Sequence, residues 1–202
     1  PFHDFTLTVT SAVLIPRPET GELVNHVITT AREFTAPRII DVGTGSGCIP
    51  IALARQLPHA VIFAGDISPA ALAVARANAQ QLAPGRIQFF CGDLLAPFRG
   101  PADIVTANLP YITDGEWTRL TDGVKYYEPS LALRGGVDGL MLMRRLLQQA
   151  RTRCRSHGRL FLEIGWRQGA AVTALAQQTF PAAAVTLLQD LAGQDRIVEI
   201  AL

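Results

Sequence analysis

Asn108, Leu109, Pro110 and Tyr111 follow an apolar run, and their types suit one kind of chemistry. The Asn108 side chain carries a carbonyl oxygen, and a backbone carbonyl of the Leu109–Pro110 segment lies next to it in the chain. Two such acceptors can take both hydrogens of a planar –NH₂ group, whose delocalised lone pair is a weak nucleophile. They would position that nitrogen against an electrophilic carbon and favour the pyramidal geometry of the transition state. Pro110 stiffens the turn and keeps a carbonyl free of helix bonding. Tyr111 offers a flat face for stacking on an amide or a base. An ordinary Asn-Pro-type turn would use the same residues.

A second constellation could hold the electrophile. "DVGTGSGCIPIA" places Gly43, Gly45 and Gly47 after an apolar strand and before a helix. The dinucleotide pattern GxGxxG would need glycine at 48, which is Cys48. Glycines here let backbone approach a ligand and leave helix N–H groups pointing at it, although a tight strand-to-helix turn would also use them. Asp66 ends the next strand, where a carboxylate can accept both hydroxyls of a ribose. Asp93 ends the one after, in "CGDLL", where it could accept the exocyclic amine of an adenine or cap a helix. Three acceptor-bearing strand ends in consecutive βα units share one crevice. With no GK[ST] motif and no Lys or Arg in the glycine loop, they suit S-adenosylmethionine better than a pyrophosphate cofactor.

These residues need elements to carry them. Residues 5–9 and 12–15 read as a β-hairpin, and a helix follows from about Thr20 to Phe34. Strands are expected at 38–43, 60–66, 86–93, 102–108, 158–165, 183–190 and 195–202. Helices are expected at 47–57, 68–82, 138–154 and 168–180, with Pro50 in a first turn and Ser68-Pro69 as N-cap and first helical residue. Residues 112–136 look irregular, and their Trp117, Tyr126 and Tyr127 suit a lid over a substrate. The alternation predicts an α/β fold with a mostly parallel seven-stranded sheet, its last strand antiparallel because the final link is short. Residues 1–17 are expected to be a hairpin linker and residues 18–202 a catalytic domain.

Composition narrows the rest. The 202 residues are 49% hydrophobic and carry a net charge of +1, with Lys125 the only lysine. Such a chain builds a globular core and lacks the basic excess of a nucleic-acid binder. The basic run at 144–155 reads as a solvated helix face. The three cysteines form no CxxC pair and the four histidines are scattered, so no metal or disulfide is expected and a reducing cytoplasm fits. No apolar run is long enough to span a membrane. Glu128 and Glu163 read as carboxylates that satisfy loop backbone or pair with an arginine.

The blocks "VLIPRPET" (13–20), "DVGTGSGCIPIALA" (41–54), "GDISPAALAVARANA" (65–79), "NLPY" (108–111), "YEPSLALRGGVDGL" (127–140), "LFLEIGWRQG" (160–169) and "DLAGQDRIVE" (190–199) together resemble the HemK/PrmC-type protein-(glutamine-N5) methyltransferases. These class I, Rossmann-like enzymes use S-adenosylmethionine, leaving S-adenosylhomocysteine, to methylate the glutamine amide nitrogen in the GGQ loop of peptide-chain release factors. The resemblance implies that Asp41, Gly43, Thr44, Gly45, Ser46, Gly47, Asp66, Ile67, Asp93, Leu94 and Asn108 line the cofactor site. It implies that Asn108 to Tyr111 bind the reacting glutamine and that Arg17, Pro18, Glu19 and Thr20 border the same pocket. The implied protein is a cytoplasmic monomer whose partner is a release factor, with no membrane or nucleic acid. Three departures stand out. Leu109 replaces the first proline of the family's NPPY, and the resulting NLPY resembles the motif of adenine-N6 dimethylases acting on ribosomal RNA. Gly21 stands where glutamate is usual after PET. The chain begins at the hairpin, so the family's helical N-terminal domain is expected to be absent from it. Alternatives in the same chemistry are a ribosomal protein's glutamine, or adenine N6 of RNA or DNA.

Overall fold

The computed structural model describes residues 2–119 and 128–202. Seven strands form one sheet: β1 (Arg38–Val42), β2 (Val61–Asp66), β3 (Ile87–Cys91), β4 (Ala102–Asn108), β7 (Cys154–Glu163), β8 (Ala184–Gln189) and β9 (Asp195–Ala201). Their order is β3-β2-β1-β4-β7-β9-β8, with β9 antiparallel to both neighbours and the other pairings parallel. Successive residues of a strand point to opposite faces, and here both faces are covered. Ile39, Ile104 and Phe161 pack beneath α1 (Thr20–Ala31), α2 (Cys48–Gln56) and α3 (Pro69–Leu82). Ile40, Val105 and Leu162 pack against α5 (Met141–Arg153) and α6 (Gly169–Thr179). This explains why the central strands read as continuous apolar runs.

The predicted helices and sheet strands form within a few residues of their expected ends. Ser68 caps α3 by accepting from the Ala71 amide, with Pro69 in the first turn. Among the described residues, no helix is long and apolar enough to cross a membrane.

Two expectations fail. Residues 5–15 make no hairpin: the expected turn forms, with the Val13 N–H donating to the Thr10 carbonyl, but the residues flanking it form no strands, and one isolated bridge joins Phe2 to Phe5. The backbone groups that a hairpin would pair go to side chains instead. Thr8 exchanges two hydrogen bonds with the Asn78 amide, and the Ile15 N–H donates to Glu128. Residues 112–119 and 128–136 are more regular than expected. A short parallel pair, β5 (Ile112–Thr113) with β6 (Arg134–Gly136), flanks α4 (Asp114–Arg119). Trp117 lies on α4 with the Arg134 guanidinium over its ring; Tyr126 and Tyr127 lie outside the described residues.

Candidate active site

β1 sits mid-sheet, with β2 on one side and β4 on the other. At such a switch point the loops leaving the strands' carboxyl ends diverge and open a crevice. A cavity of about 760 Å³ occupies it, lined by the glycine loop, Asp66, Ile67, Asp93, Leu94, Asn108, Leu109 and Pro110, with Arg17 and Thr20 on a further side. That volume lies in the range of small-molecule sites.

The glycine loop is tied down on its strand side. Gly43 and Thr44 donate to the Gly65 carbonyl, and Gly45 donates to Asp66 Oδ2 at 2.9 Å. Gly43, Gly45 and Gly47 all have left-handed φ angles (72°, 54° and 83°), which any side chain would resist. A Cβ on Gly45 would meet no atom within 4 Å, so the loop is open toward the cavity there. Gly47 has a different task. It faces Ala75 rather than the cavity and lets α2 approach α3. Asp66 accepts one backbone amide on each oxygen, from Gly45 and Ser68, and each oxygen keeps a lone pair for a ligand hydroxyl. Asp93 neither caps a helix with its side chain nor stands free; Oδ2 pairs with Arg145 of α5. Leu94 beside it carries a φ of 51° despite its side chain, a strain that turns the backbone at the cavity wall. Asp41 is buried below the loop, accepting from the Thr106 hydroxyl at 2.7 Å.

The tetrapeptide divides its tasks. Asn108 ends β4, and its Nδ2 donates to Thr20 Oγ1 at 3.2 Å. Leu109 is buried beneath the glycine loop; its Cδ2 lies 3.0 Å from where a Cβ on Gly43 would stand. The residue that departs from the NPPY pattern therefore packs the glycine loop. The Tyr111 ring lines a separate cavity of about 460 Å³ with Trp166 and Gln168 rather than the one holding Asn108. Its carbonyl accepts from Gln168 Nε2, and Pro110 O faces Gly135 so closely that a Cβ there would be 2.7 Å away. These contacts engage the carbonyls of Pro110 and Tyr111 and not that of Leu109.

Sequence reasoning missed Asn78 and Gln168. Both bond to backbone far away in sequence, and no local pattern marks such residues. Asn78 Nδ2 holds both Thr8 O and Ser46 O, joining the N-terminal segment to the glycine loop. Glu128, assigned above to pairing with an arginine, accepts Arg17 on both oxygens, at 2.8 and 2.9 Å. Arg17 borders the cavity through this clasp, while Pro18 and Glu19 form the turn into α1 and do not line it. Among the described residues, truncating Arg17 to Ala leaves the buried Glu128 carboxylate with the Ile15 amide alone. This should cost about 1–3 kcal/mol in urea unfolding, and adding Glu128→Ala should recover part of it. If both single variants unfold like the parent, the clasp is not a stabilising contact. The basic helix is partly neutralised, Arg144 pairing with Asp138 and Arg145 with Asp93.

Two buried carboxylates give the fold a pH dependence. Burial raises Glu163 from 4.5 to about 7 and Asp41 from 3.8 to about 6. Raised values mean that the folded chain binds these protons more tightly than the unfolded one. Their stabilising contribution is complete below about pH 4 and is lost as the pH climbs through those values. One pH unit of difference is worth about 1.4 kcal/mol, so unfolding free energy should fall by a few kcal/mol between about pH 5 and about pH 8. Equal stability at those two pH values would show that neither carboxylate titrates as described.

A family model described as a methyltransferase domain matches residues 39–126. Across 98% of its length the chain is 43% identical to the release factor glutamine methyltransferase of Thermosynechococcus vestitus, covering 69% of that protein. It is 39% identical over 98% of its length to that of Bacillus subtilis, covering 70% of it. Among solved structures, a ribosomal protein L11 methylase from Lactobacillus delbrueckii subsp. bulgaricus aligns with 94% of this chain and 80% of its own, at 19% identity and a TM-score of 0.67. That likeness is one of fold.

Proposed function

The chain belongs to the release factor glutamine methyltransferases, and from that membership and the geometry of its crevice we propose that it methylates the side-chain amide nitrogen (N5) of the glutamine in the GGQ motif of peptide-chain release factors. Its fold is the class I, Rossmann-like methyltransferase fold. We propose S-adenosylmethionine as methyl donor. When bound, it supplies an electrophilic methyl group on a sulfonium. The residues present fit it: the open backbone at Gly45 and the spare lone pairs of Asp66 suit a nucleoside and its ribose.

The observation that carries the reading is the Asn108 amide, anchored through Nδ2 and placed in the same cavity as the glycine loop. With Nδ2 engaged by Thr20, Oδ1 is the end left to accept from a substrate –NH₂. The Leu109 carbonyl accepts its second hydrogen. Together they aim the nitrogen lone pair at the donor's methyl carbon and favour its pyramidal form. As the N–C bond forms and the C–S bond breaks, the nitrogen becomes acidic and loses a proton to water, so no strong base is required. Because Leu109 packs against Gly43, its presence is accounted for without a nucleobase substrate. The proposed location is a reducing cytoplasm, in which Cys48, Cys91 and Cys154 would stay free thiols.

The test is methyl transfer from labelled S-adenosylmethionine to a purified release factor, beside its GGQ Gln→Ala variant and a ribosomal RNA. Label on the unmodified factor alone is the expected result. Label on RNA, or equal label on the Gln→Ala factor, would overturn the assignment.

A further inference from the structure

The mechanism above uses Asn108 but not the carboxylate beside it. Glu163 ends β7, and in the parallel pairing of β4 with β7 it is the direct partner of Asn108. It is 2% exposed, and its Oε2 is buried without a hydrogen-bond partner. The side chains of Thr20 and Asn108 both favour its ionised form. Thr20 in turn accepts from Asn108 Nδ2, so the two residues that bear on the carboxylate are also bonded to each other and line the cavity. A buried carboxylate with a spare oxygen is costly to keep ionised, and nothing in the packing of two apolar sheet faces requires one here.

We propose that Glu163 is a positioning residue for methyl transfer, its carboxylate acting with Thr20 to hold the Asn108 amide with Nδ2 inward and Oδ1 toward the substrate. The proposal rests on the role given to Asn108 above. The physical reason is the asymmetry of the two groups. An ionised carboxylate only accepts hydrogen bonds, so it tolerates only the –NH₂ end of a neighbouring amide. Once protonated it also has a hydrogen to donate, and Oδ1 becomes an equally good partner. Asn108 then gains a second orientation that points Nδ2, a donor, at a substrate nitrogen needing an acceptor.

The charges around Glu163 come from every side. Arg196 of β9 favours its ionised form and is itself held by Asp190 and the Ile164 carbonyl; Glu19, ahead of α1, opposes it. The Tyr111 phenol and Cys48 thiol are within electrostatic reach, and burial raises both, Cys48 to about 12, so neither is ionised near neutral pH. Burial of Glu163 itself places its proton loss at about 7. The orientation of Asn108 is therefore expected to change near neutral pH.

Two measurements test this. In ¹H–¹⁵N spectra of the 202-residue chain, the Asn108 side-chain NH₂ pair is identified by its loss in Asn108→Ala. In the parent it should shift with pH around neutrality, and in Glu163→Gln, which is neutral and nearly isosteric, that shift should vanish. In the transfer assay, kcat of the parent should rise with pH through the same midpoint. Glu163→Gln should lose that limb and turn over about 10- to 100-fold more slowly at high pH, with KM for S-adenosylmethionine unchanged. An NH₂ pair that ignores pH, or titrates alike in both proteins, overturns the proposal. So does Glu163→Gln with the parent's kcat and pH profile. Failure of the functional reading looks different: the pair titrates as described, but the parent labels no release factor.

Discussion

Asn108→Ala should lower the kcat of methyl transfer by roughly 10²- to 10³-fold, the range seen when one preorganised polar partner of a transition state is removed. S-adenosylmethionine binding should change little, because the glycine loop and Asp66 are held by Gly65 and Ser68 rather than by Asn108. Titration calorimetry with the cofactor, beside single-turnover transfer, separates the two effects. Asn108→Asp should be worse than Ala in a further respect. It would set a second carboxylate against the buried Glu163, and two such groups so close cannot both ionise. That variant should therefore be least stable at high pH and recover as the pH falls. If Asn108→Ala keeps more than about a third of the parent rate, far above the loss expected for such a partner, the acceptor role belongs to another group.

Gly139→Ala is expected to be the most damaging single-methyl change near the site. The residue has a φ of 73°, and a Cβ there would stand 2.2 Å from the Tyr111 carbonyl oxygen and 2.7 Å from Gln168 Nε2. The first obstacle is backbone, so it cannot swing away. A loss of about 3 kcal/mol or more in urea unfolding is expected from strain plus displacement, along with loss of transfer as the tetrapeptide shifts. Gly193 supplies the control. Its φ is 74°, but a Cβ there would meet nothing within 4 Å. Gly193→Ala should cost only the left-handed strain, about 1 kcal/mol, and should leave transfer intact. Equal losses at the two positions would mean that backbone conformation, not close packing on Tyr111, governs both.

Gly139 and Gly135 also explain what the "RGGVDGL" block does. Both lie against carbonyls of the tetrapeptide, Gly135 against Pro110 O and Gly139 against Tyr111 O, and Gln168 of the "EIGWRQG" block binds Tyr111 O from another side. Motifs far apart in the sequence thus build one support for residues 108–111.

The amino-acid sequence by itself determined the layers of this protein and the strand ends that line its main crevice. Continuous apolar runs must be buried on both faces, glycines after a strand must turn, and Ser68-Pro69 must start a helix; these are local rules, and the chain obeys them. The sequence also marked the glycine loop, Asp66 and Asn108, because a βα alternation puts every such strand end on one edge. Only the tertiary structure decided how the side chains divide the work. Arg17 closes on Glu128, Asp93 on Arg145, Thr20 on Asn108, and Tyr111 turns to a neighbouring cavity. The N-terminal segment gave up its hairpin for the same reason: its backbone found Asn78 and Glu128 instead of a partner strand. Each of these pairings joins residues dozens of positions apart. Their geometry follows from how helices settle on the sheet, which no spacing along the chain records.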